Sequence, residues 1–152
     1  MKARKILAVS LTAAMTLALA ACGGSSSDKE SSSKDSSDKV YKIGICQQLE
    51  HAALDEATKG FEEACEEKFG KDKVKFDLQN GQGEQANCAT ISNGFVANNY
   101  DLILANATTA LQCAAAATST IPVIGTSVTD YATALDIDNW TGSTGTNVSG
   151  TA

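Results

Sequence analysis

The stretch from Val40 to Gln79 decides the fold, because its hydrophobic period changes twice. It opens with VYKIGIC (40–46), a short and mostly apolar run that predicts a β-strand. In LDEATKGFEEACEEKF (54–69), apolar residues recur at steps of three and four, which predicts an amphipathic helix that ends at Gly70. VKFDLQ (74–79) then alternates apolar and polar residues, as a half-buried strand does. The order strand, helix, strand is typical of a βαβ unit with parallel strands.

The same alternation continues towards the C-terminus. The sequence predicts a helix over 84–98, a strand over 101–105, an Ala-rich helix over 107–118, a strand beginning at 122–125, and a short fifth strand at Leu135 and Ile137. Helices between parallel strands cover both faces of the sheet. We therefore predict an α/β fold with a doubly wound parallel sheet, a three-layer sandwich. After Trp140 the pattern stops, and 141–152 is expected to be a disordered tail or a connection to another part.

The N-terminal 39 residues predict export and membrane attachment. A short basic segment precedes the apolar run Ile6–Ala18, which has the length of a signal-peptide core. The run ends in Leu-Ala-Ala-Cys22, which resembles the lipobox of bacterial lipoproteins, so we predict a signal peptide over 1–21 and a lipidated Cys22. Residues 22–39 are Ser-rich and predict a solvated tether. The expected location is the extracytoplasmic face of the cell membrane, in a periplasm or at the cell surface; the alternative is an ordinary signal peptide with an incidental Cys.

The charge distribution excludes one class of function. The chain carries 12 Lys and Arg against 18 Asp and Glu, a formal net charge of −6, and no Lys or Arg follows Lys75. Proteins that bind nucleic acids through their phosphates need clustered cations, so no nucleic-acid partner is expected. An anionic group on a ligand must instead be bound by backbone N–H groups, hydroxyls or amides.

Four further cysteines leave their redox state open. Cys46, Cys65, Cys88 and Cys113 form no C-x-x-C pair and match no zinc spacing, so no metal site is predicted. An even number in an exported protein permits disulfides. Each cysteine falls on the apolar face of a different predicted element, which favours small buried thiols.

The predicted sheet also indicates where a ligand would bind. Ligands of open parallel sheets lie beyond the carboxyl ends of the strands, where helix N-termini point their N–H groups outward. Four loops lie at that edge, over 47–53, 80–83, 106–109 and 126–130. The predicted ligand-binding residues in these loops are Gln47, Glu50, His51, Asn80, Asn106, Ala107, Thr108, Thr126, Ser127 and Asp130.

The composition of these loops suits a small polar or zwitterionic ligand, because it offers neutral hydrogen-bonding groups and no cation. We expect a ligand carboxylate to be held by the N–H and hydroxyl groups near Thr108, while Asp130 or Glu50 faces an ammonium group.

Enzymatic interpretations have less support. Residues 81–86 match G-x-G-x-x-A between a strand and a helix, but the next acidic residue, Asp101, begins a strand and would lie at the opposite edge of the sheet. No G-x-S-x-G motif is present. His51 beside Glu50 could act as a general base, but the sequence offers no nucleophile for it to activate. The chain is therefore predicted not to be an enzyme and to need no cofactor.

Four segments resemble a known family: Val40–Cys46, EHAALD at 50–55, DLILANATT at 101–109 and IPVIGTSVTD at 121–130. In combination they are similar to bacterial ABC-transporter substrate-binding lipoproteins of the tryptophan/tyrosine-binding type, which have the type I periplasmic-binding-protein fold. Ala52 stands where the family usually has proline, and Tyr131 stands where a proline often follows the Thr-Asp pair.

The resemblance implies a function and a domain division. It implies that the first, third and fourth loops line a ligand cleft, that 40–140 is the first ligand-binding lobe, and that 141–152 crosses towards a second lobe, so that the chain is a fragment. The implied function is to capture a small solute, an amino acid with aromatic ones among the candidates, for delivery to an ABC permease. The alternatives are a single-domain flavodoxin-like surface lipoprotein with an enzymatic or flavin role, and a ligand-sensing lobe of a signalling system.

Overall fold

The computed structural model describes residues 39–151, so the predicted signal peptide, Cys22 and nearly all of the tether lie outside the described residues. The elements follow one another as β1 (Tyr41–Gln47), α1 (Ala52–Phe69), a 3-10 turn (Lys71–Lys73), β2 (Val74–Asn80), α2 (Gln85–Ala97), β3 (Leu102–Asn106), α3 (Thr108–Ala117), β4 (Val123–Thr126), α4 (Tyr131–Ala134) and β5 (Val148–Gly150). No helix within 39–151 combines the length and the apolar character that crossing a bilayer requires.

The five strands form one parallel sheet in the order β2-β1-β3-β4-β5. The chain moves outward in one direction from β1 to β2, then returns and continues in the other direction from β3 to β5. This is the doubly wound arrangement, and its direction changes between β1 and β3. The predicted α/β fold class is confirmed.

Helices cover both faces of the sheet, because the strands are apolar on both. Ile43, Ile45 and Leu104 form one buried cluster, to which α1 contributes Phe61. The other face carries a larger cluster around Phe95 of α2, with residues of α3 and α4. Gly44 of β1 is required there, since a Cβ at this position would lie 2.6 Å from the Phe95 ring.

Both ends of α1 are capped, and the helix begins two residues before the predicted Leu54. His51 caps the N-terminus, where its Nδ1 accepts a hydrogen bond from the Ala53 N–H at 3.2 Å. Gly70 ends the helix with a positive φ of 94°, and its N–H bonds the Glu66 carbonyl. The predicted stop at Gly70 is confirmed.

The predicted fifth strand at Leu135 and Ile137 is wrong. Asp130 caps the short helix α4 just before this point, and Leu135 packs against the core from the turn that ends the helix. The fifth strand is Val148–Gly150, held beside β4 by Asn147, whose amide donates to the Thr118 and Ile121 carbonyls. The expectation of a disordered tail is therefore also wrong for this strand.

The described cysteines are free thiols. Cys46 and Cys88 are fully buried, Cys113 is buried and Cys65 is partly buried. Burial raises the pKa of the Cys46 thiol to about 12, so this group stays protonated at physiological pH. The structure agrees with the interpretation of small buried thiols.

Asp101 joins the starts of two strands by electrostatic contacts. Its carboxylate accepts from the Lys39 ammonium at 2.7 Å and from the Lys42 N–H at 2.9 Å. The Lys39 side chain, followed by the Lys42 N–H, lowers the pKa of this carboxyl.

We expect Asp101→Asn to lower the free energy of unfolding at pH 7 by roughly 1 kcal/mol or less. A carboxyl whose pKa is lowered by folding adds stability above its unfolded pKa and loses it as the pH falls through the folded value. The difference between wild type and variant should therefore shrink below about pH 4. Urea denaturation at pH 7 and in acid measures it, and a difference that grows on acidification would contradict the assignment.

Candidate functional site

Four predicted site residues form one row across the sheet. Gln47 is in register with Asn80 of β2 and with Asn106 of β3, and Asn106 is in register with Thr126 of β4. Each residue ends its strand. The carboxyl edge of the sheet therefore brings together residues that lie up to 79 positions apart in the sequence.

Gln47 and Asn106 are buried beneath this edge, with 3% and 0% of their surfaces exposed. The Asn106 amide donates to the Leu54 carbonyl at 2.8 Å and to the Thr58 hydroxyl at 2.9 Å. The Thr58 hydroxyl donates to Gln47 Oε1 at 2.8 Å, and Gln47 Nε2 donates to Asp55 at 2.7 Å. The two residues were predicted as ligand contacts; the structure shows these groups bonded within the chain, where they fix the first loop relative to the third.

Thr58 is a residue that the sequence reasoning missed. It lies on α1, is 2% exposed, and takes part in both hydrogen bonds that join β1 to β3 through this network. Its spacing in the sequence could have revealed it, because Thr58 lies four residues after Leu54 and three before Phe61, on the apolar stripe of the helix. A hydroxyl on such a stripe must find a partner, so it marks a buried polar network.

The first loop is bonded to its neighbours through its backbone and Gln48. The Gln48 N–H donates to the Asn106 carbonyl at 3.1 Å, and Gln48 Oε1 accepts from the Thr109 N–H at 3.1 Å. Glu50 and His51 are exposed beside it. The capping bond uses His51 Nδ1 as an acceptor, so in the neutral ring the proton resides on Nε2. His51 therefore has a structural role at the start of α1.

The structure of the second loop shows why a glycine begins the G-x-G-x-x-A motif at 81–86. Asn80 Oδ1 accepts from the Gln82 N–H at 2.7 Å and shapes the turn. A Cβ on Gly81 would collide with the Cys88 thiol and lie 3.0 Å from the Gln48 carbonyl. Gly81 is therefore needed for close packing of the second loop on the first. Asp101 lies before β3, at the opposite end of the sheet, as expected.

The third loop presents the N-terminus of α3 at the edge. Ala107 precedes the helix with a φ of 86°, a conformation that costs energy for a residue with a Cβ. Its N–H donates to the Thr126 carbonyl at 2.9 Å, which holds the third loop against the fourth. Thr108 begins the helix, so its backbone and hydroxyl lie where an anionic group is favoured.

The fourth loop provides a carboxylate that stays ionised. Asp130 accepts from the Thr133 hydroxyl at 2.7 Å and from the Ala132 N–H at 2.9 Å. These two bonds, the hydroxyl first, lower the pKa of the carboxyl. Ser127, on the same loop, has a φ of 56°. At physiological pH the edge thus carries an exposed carboxylate beside the Thr133 hydroxyl, at the N-terminus of α4.

The chemistry of this edge is that of recognition by hydrogen bonds. In the part of the chain that the structure describes, no Lys or Arg follows Lys75, and no three His, Cys, Asp or Glu residues are placed to hold a metal ion. The exposed groups are helix-end N–H groups, hydroxyls, and the carboxylates of Glu50 and Asp130. Such groups complement a molecule that carries both an anionic and a cationic group.

Comparison with known proteins agrees with this fold. The model of the family described as "ABC transporter substrate binding protein" matches residues 42–152. The chain belongs to this family, whose members are extracytoplasmic substrate-binding transport proteins, and this is not a class of enzymes. The resemblance found in the sequence is confirmed.

The relatives are longer than this chain. A tyrosine-binding protein from Clostridioides difficile is 39% identical over 135 residues, which are 85% of this chain and 39% of the relative. A ligand-free, open substrate-binding protein with adhesive properties from Clostridium difficile superposes with a TM-score of 0.68 at 39% identity, over 74% of this chain and 39% of that one. An ABC domain in complex with L-Trp from Streptococcus pneumoniae gives a TM-score of 0.68 at 38% identity, over 74% and 38% of the two chains. The structural neighbours are type I periplasmic binding proteins.

Proposed function

We propose that this chain is the first ligand-binding lobe of a lipid-anchored receptor, which captures an amino acid and delivers it to an ABC permease. In this proposal residues 1–21 are the signal peptide, Cys22 carries the lipid, 22–39 are the tether, 40–140 are the lobe, and 141–152 lead towards a second lobe. The relatives named for tyrosine and tryptophan support an amino acid, aromatic ones included. The family match favours this function over the flavodoxin-like and signalling alternatives.

One observation carries the proposal: the edge where β1, β3 and β4 end offers groups of both polarities to a zwitterion. The N-terminus of α3 at Thr108 suits a carboxylate, and the ionised Asp130 suits an ammonium group. The buried bonds of Gln47 and Asn106 fix the loops from below, so the exposed groups are held ready for a ligand. Direct contacts then fall to the exposed Glu50 and Asp130 and to the half-buried Thr108.

We expect L-tyrosine and L-tryptophan to shift the backbone amide resonances of 48–53, 107–109 and 126–130 in an NMR titration, which also detects weak binding. Asp130→Asn should weaken that binding about tenfold or more, because an ionic hydrogen bond is lost. Asparagine caps helices as well as aspartate does, so α4 should be retained.

Asp138→Asn is the matched control, since it removes the same charge from an exposed position that caps no helix. Shifts confined to the opposite end of the sheet, or equal affinities for the Asp130 and Asp138 variants, would contradict the proposed site.

A further inference from the structure

The end of the sheet opposite the candidate site carries a second distinctive surface, which we call the base. It consists of residues 39–42, 66–75 and 101–102, where β1, β2 and β3 begin and α1 ends. Lys42 of β1 is in register with Lys75 of β2, and the Asp101 N–H donates to the Lys42 carbonyl at 2.9 Å. The base is therefore one continuous surface around the start of three strands.

The base holds nearly all the cations of the described chain. Six of the seven lysines in 39–151 lie there (Lys39, Lys42, Lys68, Lys71, Lys73 and Lys75), against four carboxylates, a net charge of +2. The rest of the described chain has one lysine against ten carboxylates, a net charge of −9. An acidic protein thus presents one positive end, and a surface of negative charge would orient it by that end.

The base also exposes apolar side chains among its lysines. Phe69 is 53% exposed and Val40 is 36% exposed. The Phe69 ring lies 5.9 Å from the Tyr41 ring, and the two line an almost wholly apolar groove of about 250 Å³ with Ile43 and Leu102. Aromatic residues flanked by lysines are typical of surfaces that enter the headgroup region of a bilayer.

The position of the tether selects a membrane as the partner. The chain enters the lobe at Lys39, whose ammonium lies 4.8 Å from the centre of the Tyr41 ring, so the base adjoins the point of attachment. This step rests on the proposed anchor at Cys22. A tether of this length would keep the base at high effective concentration near the bilayer, so that a weak intrinsic affinity would be enough for contact.

We propose that the base is a membrane-docking surface, in which Phe69 enters the headgroup region of an anionic phospholipid bilayer while the surrounding lysines contact the lipid phosphates. Docking of this kind holds the lobe upright, with the carboxyl edge of the sheet directed away from the bilayer. Its strength depends on salt, because exposed charges contribute much of it.

Fluorescence quenching by brominated lipids tests the proposal on the full chain. Trp140 is the only tryptophan of the sequence, so the Trp140→Phe variant has no tryptophan fluorescence. Into it, Phe69→Trp places a probe on the base. Leu78→Trp is the matched control, because Leu78 is 51% exposed near the other end of β2. Each variant is reconstituted in vesicles of phosphatidylglycerol and phosphatidylcholine in equal parts, and in vesicles of phosphatidylcholine alone.

We expect quenching at position 69 to be several-fold stronger than at position 78 in the anionic vesicles, and to fall in high salt and in phosphatidylcholine alone. Equal quenching at the two positions, or strong quenching at 69 that ignores lipid charge, would overturn docking through the base. Flotation of the vesicles reports the anchor separately. If the protein floats with the vesicles but the probe at position 69 is not quenched, docking through the base is refuted and the lipid anchor stands. If the protein floats with neither kind of vesicle, both the docking and the anchor are refuted.

Discussion

Phe95→Ala should lower the free energy of unfolding by about 3–5 kcal/mol, the largest loss that we expect from a single side chain. Phe95 is 1% exposed and lies against Gly44 of β1, and its ring centroid is 4.9 Å from that of the tilted Tyr100 ring. Gly44 has no side chain that could fill the space left by the ring, so a cavity would form between α2 and the sheet. Urea denaturation followed by far-UV circular dichroism measures the loss.

Phe69→Ala is the control for this prediction. It removes the same atoms from a ring that is 53% exposed, so the loss should be below about 1 kcal/mol. Similar losses for the two variants would show that α2 is not packed on β1 as the structure has it.

Thr58→Val should cost about 1–3 kcal/mol of unfolding free energy, because it leaves buried polar groups without their partner. Valine has nearly the shape of threonine but cannot donate to Gln47 Oε1 or accept from Asn106 Nδ2. Asn106 Oδ1 already has no partner in its buried position. As an acceptor it cannot replace the hydroxyl that donates to Gln47 Oε1, so the variant leaves Gln47 Oε1 without a donor. The loss should appear in urea denaturation, accompanied by shifted NMR signals of the Gln47 and Asn106 side-chain amides.

Thr58→Ser keeps the hydroxyl and removes one methyl group. It should retain the amide signals and cost clearly less than the valine variant. A serine variant that is as unstable as the valine variant would mean that Thr58 acts through its methyl group, and that the hydrogen bonds between the two loops contribute little.

The sequence predicted the parallel sheet, the succession of its first four strands along the chain and the edge at which the four loops lie, because hydrophobic period reports which faces of an element are buried. It could not predict β5, since Val148–Gly150 is three residues long and has one large apolar side chain. That strand forms because Asn147 bonds two carbonyls far away in the sequence, a tertiary effect without a local pattern.

The site shows a similar division. Parallel strands must end at a common edge, so the sequence located the four loops correctly. It gave no information on whether an amide at a strand end points outward or inward, and it therefore treated Gln47 and Asn106 like the exposed Glu50 and Asp130. Their direction depends on Thr58, which is on another element and becomes their neighbour only in the folded chain.

The two edges of the sheet within 39–151 bear on how copies of this chain behave at high concentration. An open edge strand offers unpaired N–H and C=O groups to any extended segment that meets it, and this is a common route to aggregation. Here one edge strand, β2, carries the exposed Lys75 near its start. The other edge strand, β5, is only three residues long. Both features discourage strand addition, so chains at high concentration are protected from joining edge to edge while they fold.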